Sequence, residues 1–322
     1  MNITGTYTFY KDGVPIHKQQ NIITKFGKRF LTNYLAGATS LRSKNIVIGI
    51  GDSVPNADNN RLDFEFYASP VDISSPNIIT DPITGLTTYS IIYKTSLPND
   101  VIGIIKEVGL FPAQSSTKTD YSDKYISSFE NAIAWTDSSG NNPDLVLTPT
   151  PRIGSYSFKI NAPAVTAPST YSTKEYSLAC SLDMSAYSIY DSLTLAFAQA
   201  DTNLDYISIK FYSTGTDYFE ARIPGDASIS NPNKIKSIYL SDLFTSSFKS
   251  GSPDQKSITK ISVGVKSKTI SGTIAYMDGL KINDEDSFDP TYGLISRSVL
   301  TTAITKSAGS QMEIEYNLGL TF

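Results

Sequence analysis

The feature that most constrains this chain is its punctuation. Short runs of Ile, Val, Tyr, Phe and Thr are cut by Gly, Pro, Asn and Asp from one end to the other. Runs of β-branched and aromatic residues bounded by turn formers at short intervals mark the strands of an antiparallel, all-β fold. Thr6-Tyr7-Thr8-Phe9-Tyr10 opens as a strand and Lys11-Asp12-Gly13 turns it. Ser90 to Ser96, Leu193 to Gln199, Tyr206 to Tyr212, Ile258 to Lys266 and Gly272 to Ile282 read the same way. One segment departs from this. From Lys25 to Ala36 the apolar residues Phe26, Phe30, Leu31, Tyr34 and Leu35 recur at helical spacing, with Thr24 as N-cap and Gly37 as the C-terminal stop. Lys25, Lys28 and Arg29 then fall on a solvated helix face. The expected fold class is mainly β, with one amphipathic helix over about 25–36.

A length of 322 residues suggests roughly two domains. The polar breaks Asp120 to Lys124 and Asn283 to Pro290 enclose a block with its own character, richer in Ser, Tyr and Asp and without a helix signal. The flanking stretches resemble each other in their Ile- and Leu-rich strands. This pattern predicts a discontinuous domain, 1–122 plus 287–322, interrupted by an inserted domain at 123–286. Such insertions are tolerated where chain ends lie close together at a surface.

Several functions fall away. A net charge of −4 and a pI near 5.1 leave no basic field for nucleic acid. No stretch approaches the ~18 uninterrupted apolar residues of a membrane span, and the first twenty residues contain no apolar signal core. A single Cys180 excludes a disulfide framework and a thiolate zinc site, and a single His17 excludes two-histidine metal sites. Gly49 and Gly51 form a G-x-G after a strand, but Val54-Pro55-Asn56 makes a turn where a dinucleotide site needs a helix. These glycines instead let two backbones approach or form a bulge. Among 31 acidic residues no motif nominates a catalytic pair, and no internal repeat is visible, so the chain is not expected to be an enzyme.

The outer segments carry a recurring order of elements. Phe30-Leu31-Thr32-Asn33-Tyr34-Leu35-Ala36-Gly37 is followed by Ile46-Val47-Ile48-Gly49-Ile50-Gly51, by Leu62 and Glu65, and by Glu107-Val108-Gly109-Leu110-Phe111. The order resumes at Gly293-Leu294-Ile295-Ser296-Arg297, then Ala303-Ile304-Thr305-Lys306, and ends over Met312 to Phe322. It resembles the N-terminal domain of phage tail-fibre and tail-collar proteins, interrupted for about 180 residues. The resemblance implies a virion component, assembled in the host cytoplasm. It would dock through 1–122 and 287–322 onto other tail, collar or baseplate proteins, as a homo-oligomer on a symmetric particle.

The central block opens with Ser128-Phe129-Glu130-Asn131 and Trp135, and closes with Ala275-Tyr276-Met277-Asp278-Gly279-Leu280-Lys281-Ile282. Both ends resemble jelly-roll carbohydrate-binding modules, which implies eight strands in two sheets. First and last strands are neighbours in such a fold, so Glu130 and Asp278 would converge. Two carboxylates with backbone carbonyls suit a Ca²⁺ ion, which in similar modules is structural. Candidate contacts to a sugar are Tyr206, Tyr212, Tyr218, Arg222 and Trp135. Tyr206 and Tyr212 are six apart, so strand geometry puts both on one face with Ser208 and Lys210 between them, while Ile207, Ile209 and Phe211 face the core. Arg222 either donates to an acidic sugar or pairs with Glu220, and Trp135 is either a sugar platform or a core residue. The expected function is a phage tail component that displays a glycan-binding sandwich for adhesion to a host surface. The alternative is a purely structural virion protein whose insert contacts other virion proteins. Aromatic and polar groups gathered in a groove favour binding, and a flat face of scattered Ser and Thr favours the structural role.

Overall fold

The computed structural model describes residues 2–36, 44–112, 125–147, 152–167, 171–187, 189–283 and 293–321. Gly37, the expected end of the helix, and the polar breaks at 120–124 and 284–290 lie outside these residues. The chain divides into two compact units, Met1–Asp123 with Ser287–Phe322, and Lys124–Asp286.

The first unit begins with β1 (Asn2–Lys11), β2 (Val14–Gln20), β3 (Ile22–Ile23), α1 (Lys25–Leu35) and β4 (Lys44–Gly49). It continues through β5 (Glu65–Pro70), β6 (Asp72–Ile73), β7 (Asn77–Thr80), β8 (Thr87–Leu97) and β9 (Gly103–Pro112). The second unit holds β10 (Tyr125–Ser127), β11 (Trp135–Thr136), β12 (Asp144–Val146), β13 (Ser157–Ala162), β14 (Thr173–Leu182) and β15 (Ser192–Gln199). After these come β16 (Leu204–Tyr212), β17 (Tyr218–Pro224), β18 (Asn233–Tyr239), α2 (Leu240–Thr245), β19 (Ile258–Ser267) and β20 (Thr273–Asn283). β21 (Ser296–Lys306) and β22 (Met312–Thr321) return to the first unit.

The first unit is more than one sheet with a helix. Its strands form two sheets, β2-β1-β22-β8-β6 with β7 also on β8, and β3-β21-β9-β4-β5. Tyr7, Phe9, Tyr93, Ile314 and Tyr316 of one sheet meet Ile46, Ile48, Ile105, Val108 and Ile304 of the other in a single apolar core. Period-2 alternation marks long strands such as β1 and β22 but not which sheet each joins, because sheet assignment depends on partners distant in sequence. The helix forms as its spacing predicts. The Thr24 hydroxyl accepts the Gly27 N–H at 2.9 Å, the N-cap bond, and donates to the Leu294 carbonyl. Phe30 and Leu31 are buried, while Lys25, Lys28 and Arg29 are exposed.

At the centre of the second of these sheets lies a buried ion pair. Arg297 on β21 and Glu107 on β9 are both fully buried, with Nη2 2.8 Å from Oε2. Glu107 also accepts backbone N–H groups from Gly51 and Phe64 at 2.9 Å and from Asp63 at 3.0 Å. Arg297 in turn donates to Asp63, Asn59 and Ser53. The G-x-G has its explanation here: a Cβ on Gly49 or Gly51 would come within 2.5 Å of the Glu107 carboxylate. The strand pairing also shifts register at Ile48/Gly49, a bulge.

The second unit is a sandwich whose core runs from Trp135 and Phe158 through Phe197, Ile209 and Phe211 to Val263 and Met277. Among its described residues, β10, β11 and β12 are only two or three residues long, which leaves eight long strands. Numbered one to eight from β13 to β20, these run 1-8-3-6 in one sheet and 2-7-4-5 in the other. That order is the jelly roll. β10 pairs with β20, so the unit's first and last strands are neighbours. Sequence reading found no helix in this block, but α2 is one. It is six residues long with only Leu240 and Leu243 buried, too short to show a period.

Removing one member of a buried pair leaves the other as an uncompensated charge, at a cost of about 3–5 kcal/mol. Arg297→Met is expected to destabilise the first unit by that amount. The double variant Arg297→Met/Glu107→Leu is not rescued, because three backbone N–H groups lose their acceptor. Trp135 reports only the second unit, so hydrogen exchange of the β9 and β21 amides is the measurement that checks this.

Candidate functional site

The outward face of the sheet β11-β14-β19-β16-β17 is ordered by strand register. Glu175, Gly264, Ser208 and Arg222 stand opposite one another in a row across four strands. On one side lies the row Thr173, Lys266 and Tyr206, and on the other Ser177, Ser262, Lys210 and Glu220. One step further come Ala179, Lys260, Tyr212 and Tyr218. Gly264 has no side chain and Ser208 a short one, so the central row is the floor of a groove. The groove holds about 90 Å³, lined by Glu175, Tyr206, Ser208, Lys210, Glu220 and Lys266 among others. It crosses three strand spacings, roughly 14 Å.

The polar groups around this floor are held in place by one another. Lys210 Nζ lies 2.5 Å from Glu175 Oε2, and the Tyr212 hydroxyl donates to Glu175 Oε1 at 3.2 Å. Burial works against the Lys210 ammonium, but Glu175 outweighs it and raises its pKa. Ser208 Oγ donates to Glu220 Oε1 at 2.7 Å, and Arg222 Nη2 donates to Glu220 Oε2 at 2.9 Å. The face therefore offers an aromatic wall at Tyr206, hydroxyls and both signs of charge, with their geometry set before any ligand arrives.

The expected residues divide. Tyr206, Tyr212, Tyr218 and Arg222 share this face, and Ile207, Ile209 and Phe211 point into the core. Tyr206 is half-buried and lines the groove. Tyr212 is 8% exposed and stands two rows away, with its ring centroid 4.9 Å from that of Tyr218. Arg222 takes the second of its two expected roles and pairs with Glu220. Trp135 is not on this face, which corrects its place among the sugar contacts. It is 2% exposed, packed 5.5 Å from Phe129 and 5.6 Å from Phe158 in the core, because the short strand β11 turns its ring inward. Glu175, Gly264 and Lys266 escaped the sequence reading. Alternation along Thr173 to Leu182 would have put Thr173, Glu175 and Ser177 on one face, but nothing local says that β14 and β19 lie beside β16.

Glu130 and Asp278 do come together, on the two halves of one loop. Asp278 accepts the Arg152 N–H at 2.9 Å and the Ile153 N–H at 3.4 Å. Glu130 accepts those of Ser155 and Tyr156 at 2.9 and 3.0 Å. Gly154 between them has φ +70, and its position leaves room for the Glu130 carboxylate alone. Arg152 Nε is 3.3 Å from Asp278 Oδ2, and its Nη2 donates to the carbonyls of Phe197 and Lys234. A Ca²⁺ ion needs roughly six to eight oxygen lone pairs. Here N–H donors point at the carboxylates, a guanidinium supplies the positive charge, and the described residues contain no cluster of three acidic, His or Cys ligands. These residues fit an internal cation, not Ca²⁺. Burial pushes the Asp278 carboxyl up to about 6, against the pull of Arg152 and its backbone donors.

No family model matches the chain, and no curated protein matches it. Solved structures do. The family 11 carbohydrate-binding module from Clostridium thermocellum, in complex with a β-1,3-1,4-mixed-linked tetrasaccharide, is 16% identical, with a TM-score of 0.35 over 50% of this chain and 94% of that one. TmCBM61, in complex with β-1,4-galactotriose, is 10% identical, with a TM-score of 0.30 over 52% of this chain and 100% of that one. An exo-β-agarase is 14% identical, with a TM-score of 0.35 over 51% of this chain. The chain spans only 26% of that agarase's length and 22% of that of PfGH50B. What the groove can do is read from its own residues.

The loop at Arg152 generates a stability prediction. Melting of the full chain, followed by Trp135 fluorescence, is expected to be the same in EDTA and in excess Ca²⁺. Arg152→Ala is expected to lower it by on the order of 10 °C. The pH dependence has a definite sign. Asp278 titrates higher folded than unfolded, so its contribution is full below about pH 4 and is lost as pH rises through about 6. Relative to Asp278→Asn, the natural protein should lose on the order of 3 kcal/mol across that window.

Proposed function

We propose that the second unit is a glycan-binding module that holds its ligand in the transverse groove over Gly264 and Ser208. The groove itself carries this reading: aromatic, hydroxyl and charged groups gather around a recessed floor, where a spacer would present a flat face of scattered Ser and Thr. Sugar hydroxyls both donate and accept, and the walls present both donors (Lys210, Lys266) and acceptors (Glu175, Glu220). Binding is adhesive, with no bond made or broken.

The first unit serves, in this reading, as the attachment domain of a phage tail component at the fibre, collar or baseplate. What supports it is the convergence of the motif residues. Gly49, Gly51, Glu107 and Arg297 lie far apart in sequence yet meet in one buried network. Leu62 packs with Val47, Phe111 and Leu294 beside it. Symmetric copies on a virion would sum weak contacts with a host-surface glycan into strong avidity.

The test is a glycan array probed with the full chain on a multimeric carrier. Tyr206→Ala removes the groove wall and the ring on which Arg222 and Lys266 rest. It is expected to weaken binding about tenfold with Trp135 fluorescence melting unchanged. A folded multimer that binds no glycan would leave the insert as a spacer contacting other virion proteins.

A further inference from the structure

The chemistry of the ligand can be narrowed, on the premise that the groove binds a glycan. Each tyrosine of the groove face has a cation over its ring. The Arg222 guanidinium lies 4.6 Å from the Tyr206 centroid and 3.9 Å from that of Phe248. Lys266 Nζ is 5.4 Å from Tyr206, Lys260 Nζ 3.8 Å from Tyr212, and Lys210 Nζ 5.2 Å from Tyr218. A neutral sugar gains from an aromatic platform by laying its C–H face on a bare ring. Here cations occupy those positions through their attraction to the ring quadrupole, so stacking would have to displace charge.

These cations are not all neutralised. Lys174 is paired with Asp137, Lys210 with Glu175 and Arg222 with Glu220, each within 3 Å. Among the described residues Lys266 has only Asp205, at 3.8 Å, with both side chains a third or more exposed. Lys260 has no carboxylate within ion-pair distance among the described residues. Both lysines stand on β19, on opposite sides of Gly264, about 20 Å apart along the strand. A chain with a net charge of −4 has therefore placed two cations with unspent charge on either side of its groove floor.

We infer that the ligand is an anionic glycan that crosses the groove along β19, with its carboxylate or sulfate groups received by Lys266 and Lys260 and the polar floor reading the neutral rings between them. Lys266, in the row next to the floor, is the nearer contact.

Paired polymers that differ only in charge test this, with the full chain on a multimeric carrier. Polygalacturonate is compared with its methyl-esterified form, and dextran sulfate with dextran. The acidic member of at least one pair is expected to bind about tenfold tighter, and the gap should close as salt rises. Whether the gap appears with polygalacturonate or with dextran sulfate identifies carboxylate or sulfate as the group received. Lys260→Gln, outside the groove lining, should weaken the acidic polymer several-fold and leave the neutral one unchanged, while Lys266→Gln should weaken the acidic polymer by several-fold more than the neutral one. Lys106→Gln, on the first unit, should change neither. Equal binding of charged and neutral members overturns the inference and leaves the glycan reading standing. Acidic binding that survives both of these substitutions on β19 also overturns it, since the charge then acts elsewhere. Binding to none of the polymers, by a protein that also fails on the array, removes the glycan reading and the inference together.

Discussion

The first unit depends on one contact, the buried pair of Glu107 and Arg297. Burying two charges is costly unless each is well engaged; here the carboxylate is, and the guanidinium is engaged through both of its Nη groups while its buried Nε has no partner. The carboxylate collects three backbone N–H groups as well as the guanidinium. The guanidinium collects Asp63, Asn59 and Ser53. The partners are 190 residues apart in sequence. Everything inserted between them must leave that contact intact, and the glycines at 49 and 51 are small because the carboxylate needs their space.

In the second unit the jelly-roll order does the equivalent work. It places β14, β19, β16 and β17 side by side, and their registers bring Gly264 and Ser208 into one row between bulkier neighbours. The groove is therefore a property of four strands in register and of no single segment. The same order sets β10 beside β20, so that Glu130 and Asp278 share the 152–156 loop. There an arginine takes the place that the pattern of two carboxylates had led one to reserve for a metal ion.

Much of this is legible in the amino-acid sequence. Alternation of Ile207, Ile209 and Phe211 with Tyr206, Ser208 and Lys210 fixes which face of β16 looks outward, because period 2 is a purely local property. The cap at Thr24 and the helix from Lys25 are local too. What could not be read is what depends on partners. The division of the first unit into two sheets, the approach of Glu175 and Lys266 to Tyr206, and the meeting of Arg152 with Asp278 all rest on pairings across tens of residues. Trp135 shows the limit from the other side. Its position after the first strand of the block allowed both an exposed platform and a core residue, and only the inward turn of the two-residue strand β11 decides between them.

The discontinuity of the first unit has a consequence for synthesis. β9 finds β21 only after the whole of the intervening unit has left the ribosome, so β4, β9 and α1 must wait with apolar surface uncovered. Closing a loop of that length in an unfolded chain costs entropy and time. The pairing of β10 with β20 changes the problem, because a sandwich that folds first brings its own ends together. It thereby shortens the effective loop to the two stretches of about a dozen residues, 113–124 and 284–295, between β9 and β10 and between β20 and β21. An insert that folds first therefore acts as a clasp, holding the two halves of the outer unit close enough to pair.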